Sequence, residues 1–245
     1  MAKVKYSRVL LKVSGQGFCS TSGFGIEAGP LRQMAKELQE TAQLGVQLAV
    51  VCGGGNFLRG ESLTQQLQIP RDTADYMGML ATVMNAVCLQ EELEAMGQPT
   101  RVMSALSVRA VCEPFIHRRA VRHLEKGRVI ILAGGTGNPF FSTDTCAALR
   151  ASELHAEALL KATKVDGVYS ADPQIDPQAK LYQKLDFHEV LSKDLKVMDH
   201  AAISLCRMNH IPIIVFNMYK SGNIARVVQG QQVGTTIGDF ADAAG

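Results

Sequence analysis

Lys12, Arg59 and Asp144 each stand in or beside a glycine-rich loop, two cations and one carboxylate in surroundings that suit an anion. The loops are KVSGQG (12–17), CGGGNFLRG (52–60), GGTGNPFFSTD (134–144) and KATKVDGVYSADP (161–173). Glycine lets backbone N–H groups approach a phosphate with no Cβ in the way. Lys12 ends an apolar run, where a lysine either reaches out along the surface or turns toward a ligand. Arg59 follows a triple glycine, where a planar guanidinium can clasp phosphate oxygens. Asp144 sits where a loop becomes a helix, so helix capping competes with a place in a site. Such groups suit phosphoryl transfer, whose transition state spreads negative charge over oxygens that fixed cations and a metal can offset.

Positioning these groups requires strands that end at the loops. Short apolar runs closed by turn-forming residues predict strands at 8–13, 47–52, 100–104, 128–133, 158–162, 211–216 and 235–237. Between them, Leu31, Met34, Ala35 and Leu38 form the apolar stripe of a helix that starts at Pro30 and stops at Gly45. Further helices are expected at 72–96, 115–126, 145–156 and 199–209, with a short one after Phe216. Arg118, Arg119 and Arg122 fall on the solvent side of the third. This alternation predicts an α/β fold with a mainly parallel central sheet. Open sheets of that class bind ligands at the carboxyl ends of their strands, where all four loops fall. One domain is expected over residues 1–245, with a fraying tail from Ala241.

Composition narrows the classes. Of 245 residues, 47% are apolar and 20% charged, an ordinary soluble composition. A formal net charge of +2 gives no bulk field for nucleic acid or a membrane. No apolar run approaches the length of a membrane span, and the amino terminus lacks a signal-peptide core, so a cytoplasmic protein is expected. The six cysteines form no CxxC pair, the nearest two being Cys88 and Cys112, which predicts reduced packing residues and no zinc site. GxxxxGK[ST], HExxH and GxSxG are absent, and GxGxxG fails because Leu58 stands where its last glycine is needed. No metal site built from side chains is expected. The six histidines are assigned to packing and solvent. Asp199 is expected either as a supporting carboxylate or as a helix cap.

KVSG, VVCGGGNFLRG, DYMGMLATVMNAV, GGTGNPFFSTD, LLKATKVDGVYSADP and LKVMDHAA together resemble the bacterial UMP kinases of the amino acid kinase family, in register from about residue 7 to 238. The resemblance implies a single αβα sandwich without a P-loop. It also implies transfer of the γ-phosphoryl group of Mg-ATP to UMP, giving UDP and ADP, in pyrimidine nucleotide synthesis. By position, Lys12, Val13, Ser14 and Gly15 would border the ATP phosphates, joined by Gly55 and Arg59. Thr163, Tyr169 and Asp172 would surround adenine and its ribose. Gly54 and Asp75 would face UMP, wrapped by Thr136, Gly137, Asn138, Pro139, Phe140, Phe141, Ser142 and Thr143. Asp144 would orient Lys12, making Lys12, Arg59 and Asp144 the catalytic set. Ser20, Thr21, Ser22, Gly23, Phe24 and Gly25 match a segment linked to activation by GTP, and the family also implies inhibition by UTP and a homohexamer.

One position departs from the family pattern: Gln16 stands where it commonly has glutamate, which removes a carboxylate near the phosphates. The rival expectations are a carboxylate or carbamate kinase of the same fold, such as acetylglutamate kinase, and a non-catalytic nucleotide-storage protein. An acceptor that is itself a phosphate is already ionised near neutral pH, so the lack of an obvious general base fits UMP.

Overall fold

In a computed structural model, which describes residues 4–20, 23–58, 68–173, 175–176 and 178–240, the apolar runs become strands of one sheet. They are β1 (Arg8–Val13), β2 (Gln47–Cys52), β3 (Thr100–Ser104), β4 (Glu113–Pro114), β5 (Val129–Ala133), β6 (Ala158–Thr163), β7 (Lys184–Asp186), β8 (Ile213–Asn217) and β9 (Thr235–Gly238). Among the described residues the sheet runs β4-β3-β5-β2-β1-β6-β8-β9-β7. Every pairing is parallel except β8 with β9. β1 is central, with β2 on one side and β6 on the other, so the chain changes direction across the sheet at the carboxyl end of β1.

Seven α-helices are described: α1 (Ala28–Gln43), α2 (Arg71–Ala95), α3 (His117–Glu125), α4 (Thr143–Glu153), α5 (Phe187–Ser192), α6 (His200–Met208) and α7 (Asn223–Val228). Side chains alternate across a strand, so the sheet has two apolar faces. Val9, Leu11 and Val13 pack with Leu38 of α1, Leu89 of α2 and Val228 of α7. Leu10 and Leu159 pack with Leu124 of α3, Ala147 and Ala151 of α4 and Ile203 of α6. The result is the αβα sandwich with a mainly parallel sheet. None of the described helices is long and apolar enough to cross a membrane.

The differences from expectation are local. α4 begins at Thr143 rather than Thr145, because Ser142 Oγ accepts a hydrogen bond from Thr145 N at 3.1 Å and acts as the N-cap. Asp144 therefore does not cap this helix. β4, β7 and α5 are too short to carry a periodic signal. α5 opens on a capping box formed by Asp186 and Glu189. The strand expected from Ile211 starts at Ile213. All six cysteines are free.

Phe216 is among the largest fully buried side chains and packs where β8 meets the α1 and α7 layer. Phe216→Ala is expected to lower stability by about 3–5 kcal/mol, measured as a shift in the urea unfolding midpoint.

Candidate active site

Pleating sets the two lysines that dominate the site. In β1, Lys12 follows Leu10 on the α4 side of the sheet, and in β6, Lys161 follows Leu159 on the same side. Lys12 and Lys161 are partners in the β1–β6 register, which brings two ammonium groups together at the carboxyl ends of adjacent strands. The first turn of α4 supplies the counter-charge. Lys12 Nζ lies 3.0 Å from Asp144 Oδ1, and Lys161 Nζ lies 2.8 Å from Oδ2. Lys161 also donates to the Val197 carbonyl. The three side chains are only 13, 12 and 16% exposed, for Lys12, Lys161 and Asp144 respectively. Lys12 is thus turned inward to a carboxylate instead of snorkelling to solvent.

Burial by itself would push the Asp144 carboxyl up, but the charges of Lys12 and Lys161 outweigh it and hold the group below its ordinary value. Lys161 moves down from its ordinary value because burial disfavours its charge, with Asp144 opposing the shift and Lys12 adding to it. Asp199 stands behind this cluster. Its Oδ1 caps α6 through Ala202 N at 2.8 Å and accepts from Thr145 Oγ1 at 2.9 Å, and its Oδ2 accepts from Ser142 Oγ. It is both a helix cap and a supporting carboxylate.

The glycine loops pack closely against each other. A Cβ on Gly15 would stand 2.6 Å from both Gly55 N and Asn56 Oδ1, so the turn after β1 and the loop after β2 touch through bare backbone. A Cβ on Gly54 would stand 2.5 Å from the Gly78 carbonyl, because α2 presses on that loop. Along one face of α2, Asp75 and Thr82 bind the 134–144 loop and Asn85 binds the loop after β2. Asp75 Oδ2 accepts from Phe140 N at 2.8 Å, while Oδ1 accepts from Arg71 Nε at 2.9 Å. Thr82 Oγ1 accepts from Gly134 N at 2.8 Å, and Asn85 Nδ2 donates to the Gly53 carbonyl at 2.8 Å.

Cavities border the lysine pair and the loops beside it. One of about 190 Å³ is bordered by Lys12, Ser14, Gln16, Lys161, Thr163 and Lys164, with Met218 and Tyr219 closing it. A second, of about 310 Å³, is bordered by Gly54, Gly55, Arg71, Asp75, Asn138, Phe141, Ser142 and Thr143. A third, about 480 Å³, opens beside Asp144, Lys161, Asp199 and His200. A cleft of about 520 Å³ lies apart from the loops, lined by Gln90, Arg101, Arg109 and Glu113.

Eleven of the sequence-predicted residues border these spaces. Lys12, Ser14 and Thr163 fall at the first cavity, with Val13 buried beneath it and Gly15 against the glycine loop. Gly55 lies with Gly54 at the second cavity. Thr136, Gly137, Asn138, Pro139 and the largely exposed Phe140 and Phe141 form the loop that Asp75 holds. Tyr169 forms a bridge with Leu181, and Asp172 lies in the exposed turn beyond it, so neither lines these cavities. Ser20 donates to Glu27 through its N and Oγ, Gly25 N donates to the Asn56 carbonyl, and Phe24 meets the Phe57 ring edge-on. Gly23 and Gly25 have positive φ. Arg59, Thr21 and Ser22 lie outside the described residues. Lys161, Thr82, Asn85 and Asn56 were not singled out from the sequence. The only pointer to Lys161 was a charge inside an apolar strand run, LLKA.

A model of the amino acid kinase family matches residues 7–217. The chain belongs to the amino acid kinase family. It is similar to a UMP kinase from Bacillus anthracis at 38% identity and a TM-score of 0.94, with 96% of this chain and 97% of that one covered. It is similar to a UMP kinase from Ureaplasma parvum at 33% identity and a TM-score of 0.91, covering 96% and 100%. A uridylate kinase from Archaeoglobus fulgidus matches at 29% identity and a TM-score of 0.73, covering 94% and 99%. As an amino acid kinase family member the protein is a kinase, consistent with the missing P-loop.

The depressed Asp144 value makes a stability prediction. A carboxyl whose folded value is lowered contributes stability above its unfolded value and loses it as pH falls through the folded one. Asp144→Asn is therefore expected to be less stable than the parent at pH 7, with a shallower loss of stability on acidification. Urea unfolding between about pH 7 and 3 measures both. Parallel curves for parent and variant would contradict the shift.

Proposed function

We propose that this enzyme is a UMP kinase, transferring the γ-phosphoryl group of Mg-ATP to UMP to give UDP and ADP. The observation that supports it best is the Lys12–Asp144–Lys161 cluster, with one cavity bordered by both lysines and another bordered by Gly54, Gly55 and Thr143, the neighbour of Asp144. The similarity to proteins described as UMP or uridylate kinases favours UMP as acceptor.

In this reading a UMP phosphate oxygen attacks the γ-phosphorus of ATP. A new P–O bond forms, and the bond from that phosphorus to the bridging oxygen of ADP breaks. The attacking oxygen is already ionised, so no side chain has to remove a proton. Asp144, kept ionised between two ammonium groups, serves to hold the lysines. Lys12 and Lys161 then offset charge on the transferring group without reorganising. Lys12, Val13, Ser14, Gly15, Gly55, Arg59, Thr163, Tyr169 and Asp172 serve ATP, and Gly54, Asp75 and Thr136 to Thr143 serve UMP. Gly55 shares the acceptor-side cavity with Gly54, so in this proposal it stands at the seam between the nucleotides. In the same proposal the magnesium ion is carried chiefly by ATP phosphates and water. When bound, magnesium would offset charge on the β- and γ-phosphate oxygens.

The proposal includes one domain over residues 1–245, UMP mainly on its N-terminal part and ATP on its C-terminal part, in a cytoplasmic homohexamer. Activation by GTP, linked to residues 20–25, and inhibition by UTP belong to the same proposal.

A coupled ADP-release assay with Mg-ATP and UMP, CMP or dTMP, with and without GTP, tests the reading. UMP is expected to be the acceptor, and turnover of acetylglutamate or carbamate without UMP would overturn it. Nucleotide binding with no UDP formed would instead favour a storage role. Lys12→Ala and Lys161→Ala are each expected to lower kcat about 10²–10³-fold while leaving the KM for UMP within about threefold.

A further inference from the structure

Asn56 and Asn85 are buried amides on different elements, 1% and 0% exposed. Asn56 lies in the glycine loop after β2, and Asn85 lies on the inner face of α2. Each donates one N–H to the other's oxygen, at 2.9 Å from Asn56 and 2.7 Å from Asn85. The second N–H of Asn56 goes to the Gly25 carbonyl at 2.7 Å, and that of Asn85 to the Gly53 carbonyl at 2.8 Å. All four amide hydrogens are therefore used. A carboxylate at either position would surrender two donors and bury a charge, so the chemistry here demands the neutral amide.

The pair closes a clamp on a short piece of backbone. Gly53 N donates to the Val13 carbonyl at 2.9 Å, and Gly25 N donates to the Asn56 carbonyl at 2.8 Å. Gly15 packs so closely that its missing Cβ would meet Asn56 Oδ1. Strand β1, helix α2 and the Gly25 turn thus all hold residues 53–56. Within that clamp, the Gly54 and Gly55 N–H groups donate to no acceptor among the described residues, and both glycines border the 310 Å³ cavity. Neither Asn56 nor Asn85 lines that cavity or the one beside Lys12.

We propose that the Asn56–Asn85 amide pair is the positioning device that aims the Gly54 and Gly55 backbone at the phosphoryl group in transit. The inference rests on the kinase reading above. The two asparagines touch no substrate. They act through the loop backbone, whose displacement by about 1 Å is enough to cost about 10²-fold in rate. Because each amide satisfies the other, they work as a unit.

The test uses the full chain with Asn56→Ala, Asn85→Ala and the double variant. For each, kcat, KM for ATP and UMP, and melting temperature are measured. Each single change is expected to lower kcat about 10- to 100-fold with both KM values within about threefold of the parent. The double variant is expected to lose about as much as the worse single one, as coupled residues do. A double loss equal to the product of the single losses, or parent-like kcat in folded variants, overturns the proposal. Should the alanine variants not fold, Asn85→Ser keeps a hydroxyl able to donate to the Gly53 carbonyl. It is expected to fold with a loss of about tenfold in kcat, and parent-like kcat there overturns the proposal equally. The parent assayed alongside separates the two failures. No UDP from the parent sinks the kinase reading, whereas an active parent with unaffected variants sinks only the amide pair.

Discussion

Two ammonium groups on adjacent strands, close enough to share one carboxylate, set the terms for the rest of the structure. Lys12 and Lys161 arrive together because β1 and β6 pair in parallel with those residues in register, and both face the same layer of helices. Without Asp144 between them, two partly buried like charges would repel in a medium that screens poorly. α4 must therefore begin where its first turn delivers that carboxylate. The Ser142 cap fixes its start, and Asp199, reaching from the cap of α6, ties Ser142 and Thr145 in place. A single electrostatic requirement thus links β1, β6, α4 and α6.

The opposite side of the site is governed by hydrogen bonds rather than charge. α2 acts as a spine whose Asp75, Thr82 and Asn85 grip the backbone of the 134–144 and 53–56 loops from one face. Phe140, one of the few non-glycine residues with positive φ, is held there by its N–H to Asp75. These loops carry glycines because helix and loop backbones meet at distances that leave no room for a side chain, as the Gly54–Gly78 contact shows. The electrostatic half and the amide half meet at the glycine loop.

Much of this was legible before any coordinates. The seven longer strands, the five longer helices and the parallel sheet follow from apolar periodicity and turn residues, because each burial face repeats over enough positions to show. The loops and Lys12, Arg59 and Asp144 stand out by composition. Lys161 does not, since only the pairing of β1 with β6, residues far apart in sequence, places it beside Lys12. Asn85 sits inside the apolar 83–89 stretch of α2 and Asn56 inside a loop, and nothing local couples them across 29 positions. β4, β7 and α5 are too short for any period to emerge. Asp144 was the ambiguous case, because a carboxylate near a helix start looks the same locally whether it caps or reaches across to a lysine.

The shortness of β4 and β7 carries a consequence for how this molecule meets others. They are the outermost strands, and with two and three residues they offer almost no row of unpaired N–H and C=O groups. A long bare edge is a template onto which another chain can zip, the usual route from a folded sheet to an aggregate. Here that route is cut short on both flanks. Strand-to-strand association at the two outermost strands is thereby disfavoured.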